Sequence, residues 1–484
     1  MVLKVRDSGL SMGQDMMLPC SPGDWLPPDH LSYFIVDVVA ALDLSGFTQG
    51  RRQDGRGGAF YDPKAMVGLL LYGYMTGVMS SRKIEAKTFE DLGFIVAGLG
   101  CHPDHTSLCR FRASHDQAFR SVFTQVVRIC CQAGLVDMSM VAVDGTKMKA
   151  NASINASRTA EQLVGLLVDE AEVVDAAEDE ADRSRPPALP TDPRLSRRGR
   201  ERQARIRQAL ADLESDKAAA ETAQDRKRQA QQARLAAGQS PGRPVSDTVT
   251  KNHQPRSRAN TTDPDSRIMK TRTGFMQAYN AQVVAVASQV VVAADVFTDP
   301  ADTNLLAPMI SQAIGVYALA AGQAPPEGFD CLADAGYYST GNAALEGVTT
   351  WIPTGSRRTT GKKTDTKRAE NLRRAEVIAR YGQGLVTARQ AALDLGITTS
   401  WFSTLARRHR TQEPSTIDLL DARMATPDGR TRYKQRSQTV EPVFGQIKHN
   451  RGIRSLPRRG LDAARTDFLL ITTGSNLLKA YKAR

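Results

Sequence analysis

At Met138 the hydrophobic pattern of this chain changes period. Before that point, residues 33–42, 65–74 and 122–133 carry apolar side chains at helical spacing, so residues 1–135 read as a helical N-terminal domain. Beyond it, Ser139-Met-Val-Ala-Val-Asp144-Gly alternates and is β-branched, the pattern of a buried strand that ends on an acid and a glycine. Further strand-like runs lie at 281–287, 289–296 and 329–334, the last again ending on an acid, Asp334, with Ala-Gly behind it. Helices followed by separated strands imply an α/β fold with a helical N-terminal domain.

Two stretches interrupt the strands. In residues 161–260, Leu163, Leu166, Leu167, Val173, Val174 and Ala177 define one amphipathic helix, and Arg185-Pro-Pro-Ala-Leu-Pro breaks it. Ile206, Leu210, Leu213 and Ala220 begin a second, which predicts an antiparallel hairpin, a solvated helix beyond Ala220 and a linker over 240–258. The acidic run 169–182 reads as a solvated face. In residues 357–430, rich in Lys and Arg, a small residue at Ala392, a turn glycine at Gly396 and apolar residues at Ile397, Phe402 and Leu405 give helix-turn-helix spacing. Arg407, Arg408, His409 and Arg410 follow. The expected plan is thus a helical domain over 1–135, core segments at 136–160, 261–356 and 431–484, and mainly helical insertions at 161–260 and 357–430.

A length of 484 residues suggests two or three folded units. The formal charge of +12 points to a polyanionic partner, with nucleic acid the commonest. No apolar run is long enough to span a membrane and no signal peptide opens the chain, which implies a cytoplasmic protein with no membrane partner. Within the N-terminal domain, residues 81–112 read as helix, turn, helix with Arg110 and Arg112 on the second helix, an arrangement that suits DNA contact or plain packing. Cys101, His102, His105 and Cys109 lack the paired spacing of zinc modules, and His105-Thr-Ser is better read as helix-capping residues ahead of a face carrying Leu108, Phe111 and Phe119.

The chemistry concentrates at the C-terminal end. Between residues 431 and 459 eight Lys or Arg stand against one acid, Glu441, at the first turn of an expected helix with Pro442 at its start. A carboxylate in that setting makes sense as a ligand of a divalent cation facing phosphates. Asp144, Asp334 and Glu441 together can supply the hard oxygen ligands that two Mg²⁺ or Mn²⁺ ions need for phosphoryl transfer. The plainer alternative makes the two aspartates turn residues and Glu441 a helix N-terminal charge. Asp295, Asp299 and Asp302 could claim a metal role too, but Asp299-Pro-Ala-Asp302 reads as a loop and helix cap. Trp351 could stack on a base or, beside Ile352, belong to the core.

Val143-Asp144-Gly-Thr146, Ala333-Asp334-Ala-Gly-Tyr337 and Val440-Glu441-Pro-Val-Phe-Gly-Gln-Ile-Lys448 resemble the three acidic motifs of bacterial DDE insertion-sequence transposases, particularly the IS-eleven-eighty-two-like group. Tyr61-Asp-Pro and His105-Thr-Ser-Leu-Cys-Arg-Phe-Arg112 are similar to that group's terminal domain, and Thr262-Asp-Pro-Asp-Ser-Arg267 with Gly274-Phe-Met-Gln-Ala-Tyr-Asn280 to its central signature. The resemblance implies an RNase H-like core in which Asp144, Asp334 and Glu441 are catalytic and metal-binding, with two ions per site. It also implies that Tyr433, Arg436 and Lys448 bind phosphates near a transposon end. Four residues separate Arg436 from Glu441 where a related group has three; Lys448, with six residues between it and Glu441, keeps the spacing. Arg451 and Arg454 join them as expected DNA contacts. The implied partners are double-stranded DNA, as terminal inverted repeats and target, and a second copy of the chain on paired ends. A non-catalytic DNA-binding protein and a host RNase H-like nuclease are the competing readings.

Overall fold

The computed structural model describes residues 22–49, 60–167, 197–238, 256–271, 273–354, 373, 374, 376–378, 380–410 and 415–484, with backbone alone at 197–200, 404, 405 and 407–410. The chain divides into two compact units, Met1–Val126 with Leu470–Arg484, and Val127–Leu469. The first unit thus takes in the end of the chain, which the sequence alone assigns to the core segment 431–484.

The first unit is helical: α1 (Leu31–Ala41), α2 (Pro63–Thr76), α3 (Ser81–Glu90), α4 (Leu92–Ala97), α5 (His105–Ser114) and most of α6 (Asp116–Gln132). Helix α2 starts where Asp62 accepts from the Lys64 amide with Pro63 at the first turn, and it stops at Gly77 in the left-handed conformation, φ 83°. Every residue from Ala65 to Met75 is buried, so α2 is the central helix of the unit. Gly68 has room for no side chain, because a Cβ there would lie 2.3 Å from the Ala97 carbonyl oxygen at the end of α4. At α5 the cap is Asp104, which accepts from the amides of Thr106 and Ser107, and Leu108 and Phe111 turn inward as their spacing predicts.

A six-stranded sheet organises the second unit. Strand β1 (Met140–Lys149) pairs on one side with the long β5 (Gly274–Val286), antiparallel, and on the other with β7 (Phe329–Ala333), parallel. Strand β8 (Val348–Trp351) extends the parallel side. The outer edge of β5 is shared by β4 (Arg267–Thr271) and β6 (Val291–Phe297), both antiparallel. Strands β2 (Ser157–Arg158) and β3 (Ala259–Asn260) form a separate ladder. The wide order is therefore β6-β5-β1-β7-β8. Trp351 belongs to the core, as its neighbour Ile352 suggests; its indole donates to Asp330 at 2.8 Å, and the guanidinium groups of Arg423 and Arg432 lie over its ring.

In the first insertion, α7 (Arg197–Ala236) packs Ile206, Ala209 and Leu213 against Leu163, Leu166 and Leu167 of the preceding helical turns. Past Leu213 most of α7 is exposed, in line with the solvated helix expected there. Val173, Val174, Ala177, the acidic run and most of the linker lie outside the described residues. After α8 (Leu306–Ala321) the helices include α9 (Ala388–Leu395), α10 (Thr399–Arg410), α11 (Thr416–Ala425) and α12 (Pro427–Thr439). Then come the short α13 (Glu441–Gly445) and α14 (Leu461–Lys482).

Candidate active site

Parallel pairing fixes the first two acids. Val143 faces Ala333 across β1 and β7, so Asp144 and Asp334, each the next residue along, leave neighbouring strands side by side. The sequence suggests that β1 ends at Asp144. Instead β1 runs five residues further, because β5 is long enough to keep pairing as far as Lys149 opposite Ala278. Asp144 therefore sits where β7 stops while β5 continues, at a step in the sheet. Asp334 does end its strand. Its side chain caps a single helical turn, accepting from the Ala335 amide at 2.6 Å.

Helices α12 and α13 bring the third acid. Thr426 caps α12 ahead of Pro427, and Glu441 opens α13 with Pro442 behind it. Arg436, near the end of α12, is buried and projects its guanidinium between the acids: Nη2 lies 2.8 Å from Asp144 Oδ1 and Nη1 lies 3.3 Å from Glu441 Oε1. Burial works against the charge on Arg436, yet Asp144, Tyr433, Asp334 and Glu441 hold its pKa above the ordinary value. One guanidinium thus feels all three carboxylates. Asp144 is pushed up to about 6 by burial, a rise that Arg436 and the Gly145 amide oppose and that Asp334 and Asp302 reinforce.

Lys448 reaches the same strand by a different route from that expected. The sequence places it two α-turns along the face of Glu441, but Gln446–Asn450 form a wider π turn. Its ammonium donates to Thr146 Oγ1 and to the Lys147 carbonyl, and burial lowers its pKa. Alternation along β1 puts Thr146 on the Asp144 face. Tyr433 is half-buried; Arg454 is exposed, donating to the Lys448 carbonyl at 3.3 Å; and Arg451 is half-buried, its pKa pulled down to about 10 by burial.

Two groups differ from the sequence reading. Arg112, expected to contact DNA, is buried: it donates to Tyr74 Oη at 2.9 Å, to the Met79 carbonyl at 3.1 Å and to Ser81 Oγ, tying α5 to α2 and the start of α3. A guanidinium closed in by three protein oxygens is withdrawn from a duplex, whereas Arg110 is exposed. Asp302, ranked below the three acids, lies within electrostatic range of Asp144. Its Oδ1 accepts from Asn280 at 2.7 Å, Gln282 at 2.9 Å and Lys147 at 3.4 Å. Those donors lie on the opposite face of the sheet from Asp144. Reading residues 299–302 as a loop was sound; what it hid was where the loop returns. Asn280, which closes the central signature, was the available signal.

That signature is mainly structural. Asp263 is buried and accepts from Tyr279 Oη and the Gly460 amide, while Asp265 accepts from the Leu461 amide at the start of α14. The Cys101–Cys109 stretch is spread among local partners: His102 stacks on Phe89, His105 pairs with Glu85, and Cys109 donates to Ser81.

The donor set suits a divalent cation in its chemistry, with hard carboxylate oxygens and, in Asp144, an acid whose pKa burial raises. Among the described residues no three His, Cys, Asp or Glu side chains converge on one point, and between Asp144 and Glu441 the space belongs to Arg436.

Two family models match the chain, a transposase domain (DUF772) over residues 21–114 and a transposase DDE domain over residues 403–481. The second span contains Tyr433, Arg436, Glu441, Lys448, Arg451 and Arg454; Asp144 and Asp334 lie outside both. No curated protein and no solved structure matches. With a transposase domain matched toward each end, the chain is a DNA transposase, an enzyme of metal-dependent DNA cleavage and strand transfer. No helix among the described residues is long and apolar enough to cross a membrane.

Proposed function

We propose that Asp144, Asp334 and Glu441 are the catalytic carboxylates of an RNase H-like core, in a transposase of the IS-eleven-eighty-two-like group. The observation that carries this reading is that Arg436 pairs with both Asp144 and Glu441 while Asp334 leaves the parallel strand next to that of Asp144. The strand order β6-β5-β1-β7-β8, with β1, β7 and β8 parallel and β5 antiparallel, supports the core assignment. Asp144, Asp334 and Glu441 would hold two Mg²⁺ or Mn²⁺ ions, which would supply an activated oxygen nucleophile and charge relief on the leaving oxygen.

The protein groups divide the remaining work. Asp144, stiffened by its strand and by the Gly145 amide at 2.9 Å, sets the position of the site. Arg436 carries a planar fork of donors that fits a carboxylate pair or a phosphate equally well, so the side chain that now spaces the acids can turn its donors to the DNA backbone. Tyr433, Lys448, Arg451, Arg454 and the exposed Arg110 bind phosphates; these contacts hold register and carry no base information. The substrate is duplex DNA at the terminal inverted repeats and then at the target. Two copies of the chain, one on each end, make the working assembly, in the cytoplasm on nucleoid DNA.

The test is cleavage and joining of labelled duplex carrying the element's terminal sequence, with Mg²⁺ or Mn²⁺. Asp144→Asn, Asp334→Asn and Glu441→Gln are each expected to lower product formation by roughly a thousandfold while DNA binding persists. Full activity in any of the three would remove that residue from the site.

A further inference from the structure

Helix α10, within the stretch between the second and third acids, exposes three short hydroxyl side chains, Thr399, Ser400 and Ser403, together with Trp401, and the Ser403 hydroxyl donates to the Thr399 carbonyl at 2.9 Å. The side of the helix next to them is buried. Phe402 and Ala406 of α10 pack against Ala391 and Ala392 of α9 and against Val377 on the helical residues before it, with Tyr381 edge-on to Phe402.

The joint between α9 and α10 is strictly built. Thr387 and Gln390 cap the start of α9 reciprocally, and Gly396 ends it in the left-handed conformation at φ 65°. Only Ile397 and Thr398 then separate it from α10, and the Thr398 hydroxyl accepts from the Trp401 amide at 3.3 Å. The small residue at 392, the glycine at 396 and the inward side chains at 397 and 402 meet the steric demands of two helices joined at a sharp turn. What remains outward is the first two turns of the second helix, the part of such a unit that enters a major groove.

Charge favours a nucleic acid as its partner. Residues 373–410 hold seven arginines (373, 374, 380, 389, 407, 408 and 410) against two acids, Glu376 and Asp394. Hydroxyl side chains suit base edges, since each can donate to or accept from them.

We infer that this three-helix unit is a second DNA-reading module, carried inside the catalytic domain, and that Thr399, Ser400 and Ser403 of α10 contact base edges in the major groove of duplex DNA. The inference rests on the reading of the chain as a DNA transposase. It assigns sequence recognition to a segment separate from the helical N-terminal unit and from the phosphate-binding groups beside Glu441.

The experiment uses the full-length protein and a pool of fluorescent duplexes of about 30 base pairs, roughly three helical turns, with randomised centres. Bound duplexes are selected, sequenced and measured by anisotropy for the wild type, Ser400→Glu and Ser403→Glu. Both substitutions fall on exposed helix positions, and circular dichroism confirms folding. The wild type is expected to enrich a motif that neither variant enriches, and each variant to bind that motif about tenfold more weakly while its affinity for unselected duplex stays near wild type. An unchanged motif and affinity in both variants would overturn the inference, as would an equal loss on every sequence, which marks phosphate contact alone. Equal competition by an RNA duplex of the same sequence would overturn it too. A wild type that binds no duplex at all would overturn the transposase reading itself.

Discussion

Two buried arginines, Arg112 in the helical unit and Arg436 in the sheet unit, look alike in the sequence and are unlike in the structure. Each stands on a helix in a basic context, and each reads as a DNA contact. Arg112 is enclosed by neutral oxygens, from a tyrosine, a serine and a carbonyl. Arg436 is held by the carboxylates of Asp144 and Glu441. Neutral acceptors that answer a guanidinium inside a protein have no other cation to wait for, so Arg112 is a fixed tie between helices. Carboxylates retain a demand for positive charge that a metal ion can meet, so Arg436 occupies an exchangeable position. Burial alone does not separate structure from function; the partner's charge does.

The largest effect is expected at the exchangeable site. On the proposed assignment Arg436→Ala should lower cleavage and joining by roughly a thousandfold, because a buried phosphate-binding group in an active site is worth several kcal/mol. Its loss of folding stability should be partly recovered by millimolar Mg²⁺, which can neutralise the same carboxylates. A variant of near wild-type activity, measured on labelled terminal duplex, would erase the distinction drawn here.

Arg112→Ala should cost about 4 kcal/mol of folding stability, since three acceptors lose a charged donor inside the helical unit. Mg²⁺ should restore none of it in a denaturant titration. Arg110→Ala, on the same helix but exposed, should change stability by less than about 0.5 kcal/mol. Equal costs for the two would show that the inward placement of Arg112 contributes little.

The pH dependence of Asp144 comes next. Its pKa lies near 6 in the fold against an ordinary 3.8, so between those values the folded state holds a proton that the unfolded chain has released. Stability then falls as pH rises through that window, by roughly 3 kcal/mol in metal-free buffer. Asp144→Asn should flatten this slope and raise stability at neutral pH. If urea titrations at pH 4 and pH 7 differ no less in the variant than in the wild type, Asp144 is not the group responsible.

Much of the candidate site was legible because it is written in short segments. A strand-like run followed by an acid locates Asp144 and Asp334, the first run being β-branched, and a lone carboxylate in a basic stretch locates Glu441. The helix-turn-helix spacing around Gly396 was readable for the same reason, since its constraints are local. What escaped depends on long-range return of the chain. Nothing near Arg112 reveals that Tyr74 and Ser81 will enclose it. Asp302 looks like a loop residue until Asn280 and Gln282, twenty or so positions away on β5, donate to it. The end of β1 was misplaced because Asp-Gly is a turn signal in isolation, and only the length of β5 overrides it.

Gly145 is where that override becomes visible, and it yields a smaller expected effect than Asp144 or Arg112. Its φ is not unusual, so freedom of the backbone does not explain it. Space does: a Cβ at Gly145 would lie 2.1 Å from Gln282 Nε2 and 3.1 Å from Asn280 Oδ1. The Gln282 amide donates to Asn280 and Asp302 and its oxygen accepts from Tyr337, so it cannot move without breaking bonds in a buried network. Gly145→Ala should therefore cost about 2 kcal/mol by crowding. It should also shift Asp144 relative to Arg436, because the displaced residue is its immediate neighbour. If Gly145→Ala lowers stability while Arg436→Ala and Gly145→Ala together lose no more activity than Arg436→Ala alone, the network acts through the Asp144 and Arg436 pair. If the two losses simply add, it acts only on the fold, and the face of the sheet behind Asp144 belongs with Arg112 among the fixed ties.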